Sequence, residues 1–278
     1  MKKTVCPFAA LTLSVFLISC GQLESRMAIR EGNMAYDAEN YQTALTKYEQ
    51  ARQANPGSFP ELDRLIGYCY IGLFKPDDPS PQNQQNADKA INELQRYLQK
   101  VPRNDAAREA MVNLMLNAER RSQAIEYFKN FLKTHPSDLG TVRSIANLYA
   151  EAGDFNEALN WYEKITLLDS RNPEAFYTFG VVCYEKVAKN PPADMEERMM
   201  ILEKGKQALE RAQRLRPDYF DAIVYLNLLY REHAKLELDP VRQQELLARA
   251  DELRNRAIAI SKARKAAEKA EEEKAAKN

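Results

Sequence analysis

The sequence predicts an all-α chain of stacked helix hairpins, on three observations. Small residues recur at Ala44, Ala90, Ala124, Ala158 and Gly205. Four residues after each stands a large apolar side chain: Tyr48, Leu94, Phe128, Tyr162 and Leu209. A closing column reads Pro56, Pro102, Pro136, Ser170 and Pro217. The three columns step together by 46, 34, 34 and 47 residues. A period near 34 marks a repeat architecture, in which each unit buries its apolar face against its neighbours. Glycine is scarce, at 9 of 278 residues, and Ala, Leu, Glu, Lys and Arg dominate many stretches. That composition favours helix.

Each column has a physical reason. A small residue lets two helices approach, and a large one a turn later fills the space beside it. Proline has no backbone donor, so it ends the second helix of each pair. First helices carry their own apolar stripe: Val142, Ile145, Ala146 and Tyr149 in one, Phe176, Phe179, Gly180 and Cys183 in the next. Ala152-Gly153-Asp154 reads as the turn between helices, with Gly153 left-handed and Asp154 capping in a box with Glu157. Asn172-Pro173 reads as N-cap and first helical residue.

Two repeats carry about a dozen extra residues at the same turn. Residues 75–86 hold Pro76, Pro79 and Pro81, then Asn/Gln-rich sequence, and are expected as an ordered or semi-ordered loop. Residues 189–200 hold Pro191-Pro192, after which 193–200 extend the second helix, with Met195, Met199 and Met200 as a flexible apolar patch. Asp239-Pro240 opens a long final helix that caps the stack. Residues 261–278 form a charged, Ala/Lys/Glu-rich helical tail. Cys69 and Cys183 fall three repeats apart, so they read as separate buried thiols and not as a bridge.

The N-terminus has a different character. Lys2 and Lys3 precede an apolar run from Val5 to Leu17, of signal-peptide length and too short to span a bilayer. It ends in Leu17-Ile18-Ser19-Cys20, which resembles the lipobox of bacterial lipoproteins. The resemblance implies a signal peptide over 1–19, lipid attachment at Cys20 and an anchored linker over 20–25. More than one acyl chain gives stable anchoring, at roughly 0.8 kcal/mol per buried methylene. Gly21, where an aspartate would retain the protein at the inner membrane, implies an outer-membrane location facing the periplasm.

Residues 26–260 resemble the tetratricopeptide repeat family over about six repeats. Ile145-Ala146, Tyr149, Gly153-Asp154-Phe155, Ala158 and Tyr162 carry the likeness, as do Gly32, Asn40-Tyr41, Ala44, Tyr48, Ala51 and Pro56. Phe179-Gly180, Ala212 and Pro217 extend it. Departures are Ser170 for proline, Val112 for the small residue of the third repeat, and Arg120-Arg121 for its Gly-Asp turn. The family implies a right-handed α-solenoid whose first helices line a concave groove for peptides or proteins.

Carried onto this chain, the groove columns are Arg30, Asn33 and Tyr36; Asp63, Arg64 and Tyr70; Glu109 and Asn113; Arg143 and Asn147; Tyr177 and Tyr184; Tyr225 and Arg231. An asparagine amide both donates to and accepts from an extended backbone. Tyrosine combines an apolar body with a polar tip. Arg143 and Asn147 resemble the opening of a carboxylate clamp, which Thr178, Asp221 and Tyr225 leave incomplete.

Chemistry is sparse. Two histidines, His135 and His233, fall in no metal-spaced cluster, and there is no phosphate loop, Gly-x-Ser-x-Gly or Cys-x-x-Cys. Forty basic residues against 40 acidic leave no broad nucleic-acid footprint. The expectation is a non-enzymatic, membrane-anchored scaffold that takes protein or peptide partners and needs no cofactor, metal, nucleic acid or small-molecule substrate. Pilotin-type and barrel-assembly-type repeat lipoproteins are the resembling classes; a recruiter or regulator of cell-wall enzymes is the alternative, and an enzyme in its own right the remote one.

Overall fold

Why hairpins form is visible at their turns. A computed structural model describes the backbone of residues 8–57 and 59–275, and side chains over 21–269 apart from 58, and at 272 and 275. The described residues form twelve α-helices and no strand. α1 (Phe8–Asp37) pairs with α2 (Tyr41–Ala54) and α3 (Glu61–Leu73) with α4 (Pro81–Lys100); α5 (Asp105–Asn117) and α6 (Arg121–Thr134) come next. α7 (Leu139–Glu151), α8 (Phe155–Leu168), α9 (Pro173–Lys189), α10 (Met195–Leu215), α11 (Phe220–Leu236) and α12 (Pro240–Ala275) follow. Each closing residue, Pro56, Pro102, Pro136, Ser170 and Pro217, falls two positions after the last residue of a second helix.

Side-chain caps start the helices. Asn40, Asn104, Asp138 and Asp154 each accept the backbone N–H three residues on. Asn172 and Asp194 accept from Glu174 and Glu196. Each cap satisfies a helix N–H that would otherwise lack a partner. The expected box at Asp154 is half made, because the Glu157 carboxylate accepts from Trp161 Nε1 instead.

The third repeat turns at Glu119-Arg120, one residue earlier than expected. Glu119 takes φ 59° where Gly153 takes 75° and Glu39 takes 57°. The register therefore holds at all three turns, and glycine is used at one. Arg120 then reaches back to Gln84 Oε1, at 2.9 Å, and to Asp88.

The loop expected over 75–86 is shorter than that. It ends at Ser80, whose hydroxyl caps α4, and Pro81 is the first helical residue. Asn83 pins the loop, donating to Lys75 O and Asp78 O at 2.7 Å. At the second insertion α9 stops at Lys189 and α10 starts at Met195, two residues later than the expected 193, because Asp194 caps it. Asp239 caps α12 through Val241 N–H at 2.9 Å. Residues 20–25, expected as a linker, are helical within α1, and Ser25 Oγ donates to Ala51 O at 2.9 Å. The side chains of the expected signal segment and of Cys20 lie outside the described residues. Among the described residues no helix is long and apolar enough to cross a membrane.

The chain divides into two compact units, residues 1–124 and 125–278. In unit 1 the column residues Ala44, Tyr48, Ala90 and Leu94 are fully buried. A Cβ on Gly32 would stand 2.5 Å from the Tyr48 ring, so the helices of the first hairpin touch through bare backbone there. A buried ion network joins α2, α3 and α4. Arg52 grips Glu93 at 2.6 and 3.1 Å and Asp63 at 3.3 Å, while Lys100 reaches Asp63 at 2.7 Å. The two carboxyl side chains are 8% and 10% exposed.

Unit 2 repeats the design at Gly180, where a Cβ would stand 2.4 Å from Leu209. Filling such a site with a fully buried leucine contributes roughly 1.5–3 kcal/mol. Lys206, almost wholly buried, donates to His233 Nδ1 at 2.8 Å and pairs with Glu203 at 2.7 Å. Burial and the Lys206 charge hold the His233 pKa below its ordinary value. Cys69 in unit 1 and Cys183 in unit 2 are both buried and free. Burial pushes the Cys69 thiol up to about 12 and the Cys183 thiol higher still, so neither is a thiolate at neutral pH.

Candidate functional site

Side chains on the first helix of each hairpin make the candidate site, taken separately in each unit. In unit 1, Arg30 and Asn33 on α1 are exposed and Tyr36 is half-buried. Tyr48 Oη, from α2, donates to Asn33 Oδ1 at 2.8 Å. That bond occupies the amide oxygen and leaves both Nδ2 hydrogens to point outward. Tyr36 meets Tyr41 edge-on, with ring centroids 5.4 Å apart, and burial raises its pKa.

On α3, Arg64 is held by Glu61 at 2.7 Å and lies 5.3 Å from the Tyr68 ring and 5.9 Å from the Tyr97 ring. Lys89 stands 5.3 Å over the Tyr70 ring. Asp63 does not belong here: it is buried and spent in the ion network. Glu109 and Asn113 are exposed on α5.

Unit 2 makes the same latch. Tyr162 Oη donates to Asn147 Oδ1 at 2.7 Å, again across 15 residues. Arg143, one turn earlier on α7, pairs with Asp169 at 3.0 Å. Beside them opens a cavity of about 190 Å³ lined by Arg143, Asn147, Tyr162, Glu174 and Thr178. Its polar groups therefore include amide donors, a guanidinium and a carboxylate within one small space.

Next to it stands a cluster of tyrosines from α9 and α11. Tyr177 and Tyr184 each pack edge-on against Tyr225, at 5.8 and 5.5 Å, and Tyr177 tilts over Tyr219 at 5.0 Å. Tyr219 donates to Glu174, and burial raises the pKa of both Tyr177 and Tyr219. With their pKa raised, the Tyr177 and Tyr219 phenols stay neutral near pH 7, and the cluster presents hydrogen-bonding aromatic surface. Arg231, expected in the same column, is spent elsewhere: it bonds Asn227 at 3.0 Å and Asp251 of α12 at 2.7 Å.

Sequence reasoning missed the Tyr–Asn latch, Tyr219 and Glu174. The latch had a signal, since Asn33 to Tyr48 and Asn147 to Tyr162 keep one separation. Asn113 to Phe128 keeps it too, but phenylalanine has no hydroxyl to give. The remaining histidine is structural in character: His135 stacks on Phe131 at 4.2 Å. Trp161 donates to Glu157 at 3.3 Å, with Lys164 5.1 Å from its ring. Among the described residues no group of three His, Cys, Asp or Glu could hold a metal ion.

No family model matches the chain. Two curated relatives are tetratricopeptide repeat protein 37 and ER membrane protein complex subunit 2-A, both of Xenopus laevis. The first is 26% identical over 176 residues, 63% of this chain and 10% of the relative. The second is 25% identical over 150 residues, 54% of this chain and 46% of the relative. This chain thus spans less than half the length of either. Among solved structures, a TPR repeats protein from Bacteroides fragilis aligns with a TM-score of 0.51. It is 17% identical, and the match covers 74% of this chain and 97% of that one.

Proposed function

From the premise that this chain is a tetratricopeptide repeat protein by fold, we propose that its first-helix faces bind extended segments of partner proteins. The observation that carries this reading is the recurring latch, Tyr48 on Asn33 and Tyr162 on Asn147. A tyrosine that fixes an amide with its two donors outward prepares it for the carbonyls of an extended chain. Holding the amide in advance lowers the ordering cost of binding. In unit 2 the Tyr177–Tyr184–Tyr225 cluster adds rigid aromatic surface beside the latch.

The protein then acts as a scaffold and not as a catalyst. The lipobox-like Leu17-Ile18-Ser19-Cys20 supports anchoring at Cys20, on the periplasmic side of a bacterial outer membrane. Anchoring raises the local concentration of the binding faces for membrane clients, as in pilotin-like or barrel-assembly-like work. Affinity capture of the anchored protein with mass spectrometry tests both parts. A Tyr36/Asn147/Tyr184 triple alanine variant is expected to stay folded and lose the captured partners. Unchanged recovery overturns the binding reading. Cys20→Ala is expected to release the protein from membranes, and retention there overturns the anchor.

A further inference from the structure

A second docking surface lies between α11 and α12, outside the tyrosine cluster that Tyr225 of α11 joins. Between α11 and α12 opens a cleft of about 360 Å³ whose apolar lining comes from Phe220, Val224, Ala257 and Ile258. Every charged residue that lines it is a cation: Arg254, Lys262 and Lys265. Arg264 adds a fourth at the edge, 5.8 Å from the Phe220 ring and bonded to Asp218 O at 3.2 Å. Among the ion pairs of the described residues, only Arg254 of these four has an acidic partner, Asp251 at 3.2 Å.

Unit 2 itself shows what fills a surface of this kind. On the opposite side of α11, Ala222, Leu226 and Leu229 lie at i, i+4 and i+7 and are buried. Leu229 reaches to within 2.8 Å of where a Cβ on Gly205 of α10 would stand. Phe220, Val224 and Asn227 repeat that helical spacing on the flank facing the cleft. On one flank the spacing is covered by a neighbouring helix; on the other it meets an open cleft ringed by positive charge.

We propose that this cleft docks an acidic amphipathic helix of a partner protein. The helix lays small and large apolar residues, spaced i, i+4 and i+7, over Val224 and Ile258, and sets carboxylates against Lys262, Lys265 and Arg254. The chain's own segments fit poorly. Its apolar leader, Val5 to Leu17, follows Lys2 and Lys3 and contains no acid. The tail of a second copy offers Glu271, Glu272 and Glu273 but only alanine as an apolar anchor.

The test uses the full chain and a labelled synthetic helix of roughly 16 residues with Ala and Leu at i, i+4 and i+7 and Glu on both flanks. A twin with Lys in place of Glu is the control, and binding is read by fluorescence anisotropy. The Glu peptide is expected to bind roughly tenfold tighter than its twin at low salt, and the gap to shrink near 0.5 M salt. Ile258→Asp, at a side chain 45% exposed, is expected to keep the fold and weaken binding about tenfold. Lys262→Glu with Lys265→Glu is expected to reverse the preference between the two peptides, and it decides the question should Ile258→Asp fail to fold. Equal binding of both peptides, or binding untouched by either change, overturns the proposal. So does light scattering that finds a wild-type dimer split by Ile258→Asp, which would assign the cleft to a second copy.

Discussion

Unit 1 joins α2, α3 and α4 through charges, whereas unit 2 joins α9 and α11 through rings. Arg52, Asp63, Glu93 and Lys100 are tied by four close contacts beneath the unit 1 surface. At the comparable level of unit 2 stand Tyr177, Tyr184 and Tyr225. Inside the hairpins the two units do not differ: a glycine under a large side chain, Gly32 under Tyr48 and Gly180 under Leu209, closes both. The repeat therefore prescribes the hairpin, and each unit supplies its own joint between hairpins. A polar joint is costly to break and sensitive to ionic conditions; an apolar one is costly to break and indifferent to them.

Two truncations separate the charged joint of unit 1 from the apolar packing inside a hairpin. Leu209→Ala is expected to destabilise unit 2 by about 3 kcal/mol, through lost burial and the cavity left over Gly180. Arg52→Ala leaves Glu93 and Asp63 under-compensated, but Arg52 is partly exposed and Arg96 and Lys100 stay, so roughly 2 kcal/mol is expected. Urea unfolding at low and high salt checks both. The Leu209→Ala loss is expected to hold constant and the Arg52→Ala loss to shrink with salt. If both respond alike, the contrast between charged joint and apolar packing fails.

A smaller effect belongs to unit 2 alone. His233 has a lowered pKa, so between that value and the unfolded 6.5 the folded state binds fewer protons than the unfolded chain. Stability is therefore fully present above about pH 6.5 and falls as the pH drops below it. Protonated His233 would face the Lys206 ammonium at 2.8 Å. Tm is expected to fall as the pH drops from about 6.5 to 5.5. His233→Gln, which keeps a neutral acceptor, is expected to lessen that fall. The smallest effect is a gain. Glu119 holds φ 59°, so Glu119→Gly is expected to stabilise unit 1 by up to about 1 kcal/mol, and Gly153→Ala to cost unit 2 about as much.

The hairpins could be read from the chain because their rules are local. Small and large residues four apart, a proline two positions past most second helices, and Asn or Asp as the cap of most helices leave direct marks. Two misreadings have local causes as well. Pro81 looked like a loop residue, yet after Ser80 it is the first residue of α4, the one helical place where a missing N–H costs nothing. Glu119 hid the third turn because a left-handed glutamate carries no sequence mark. The site was less legible. Asp63 and Arg231 sit in the expected columns, but pairing with Arg52 and Asp251 is set by other helices and cannot be seen from their own. Tyr219 and Glu174 meet across 45 residues, a separation that no repeat period carries.

The central claim is that partners lie along the first helices. A photo-reactive phenylalanine placed in turn at Tyr36, at Tyr184 and at Leu167, a second-helix residue 75% exposed, tests it most directly. Cross-linking in cells that make the protein is expected to trap partners from Tyr36 and Tyr184 and nothing comparable from Leu167. Equal or stronger trapping from Leu167 would contradict it.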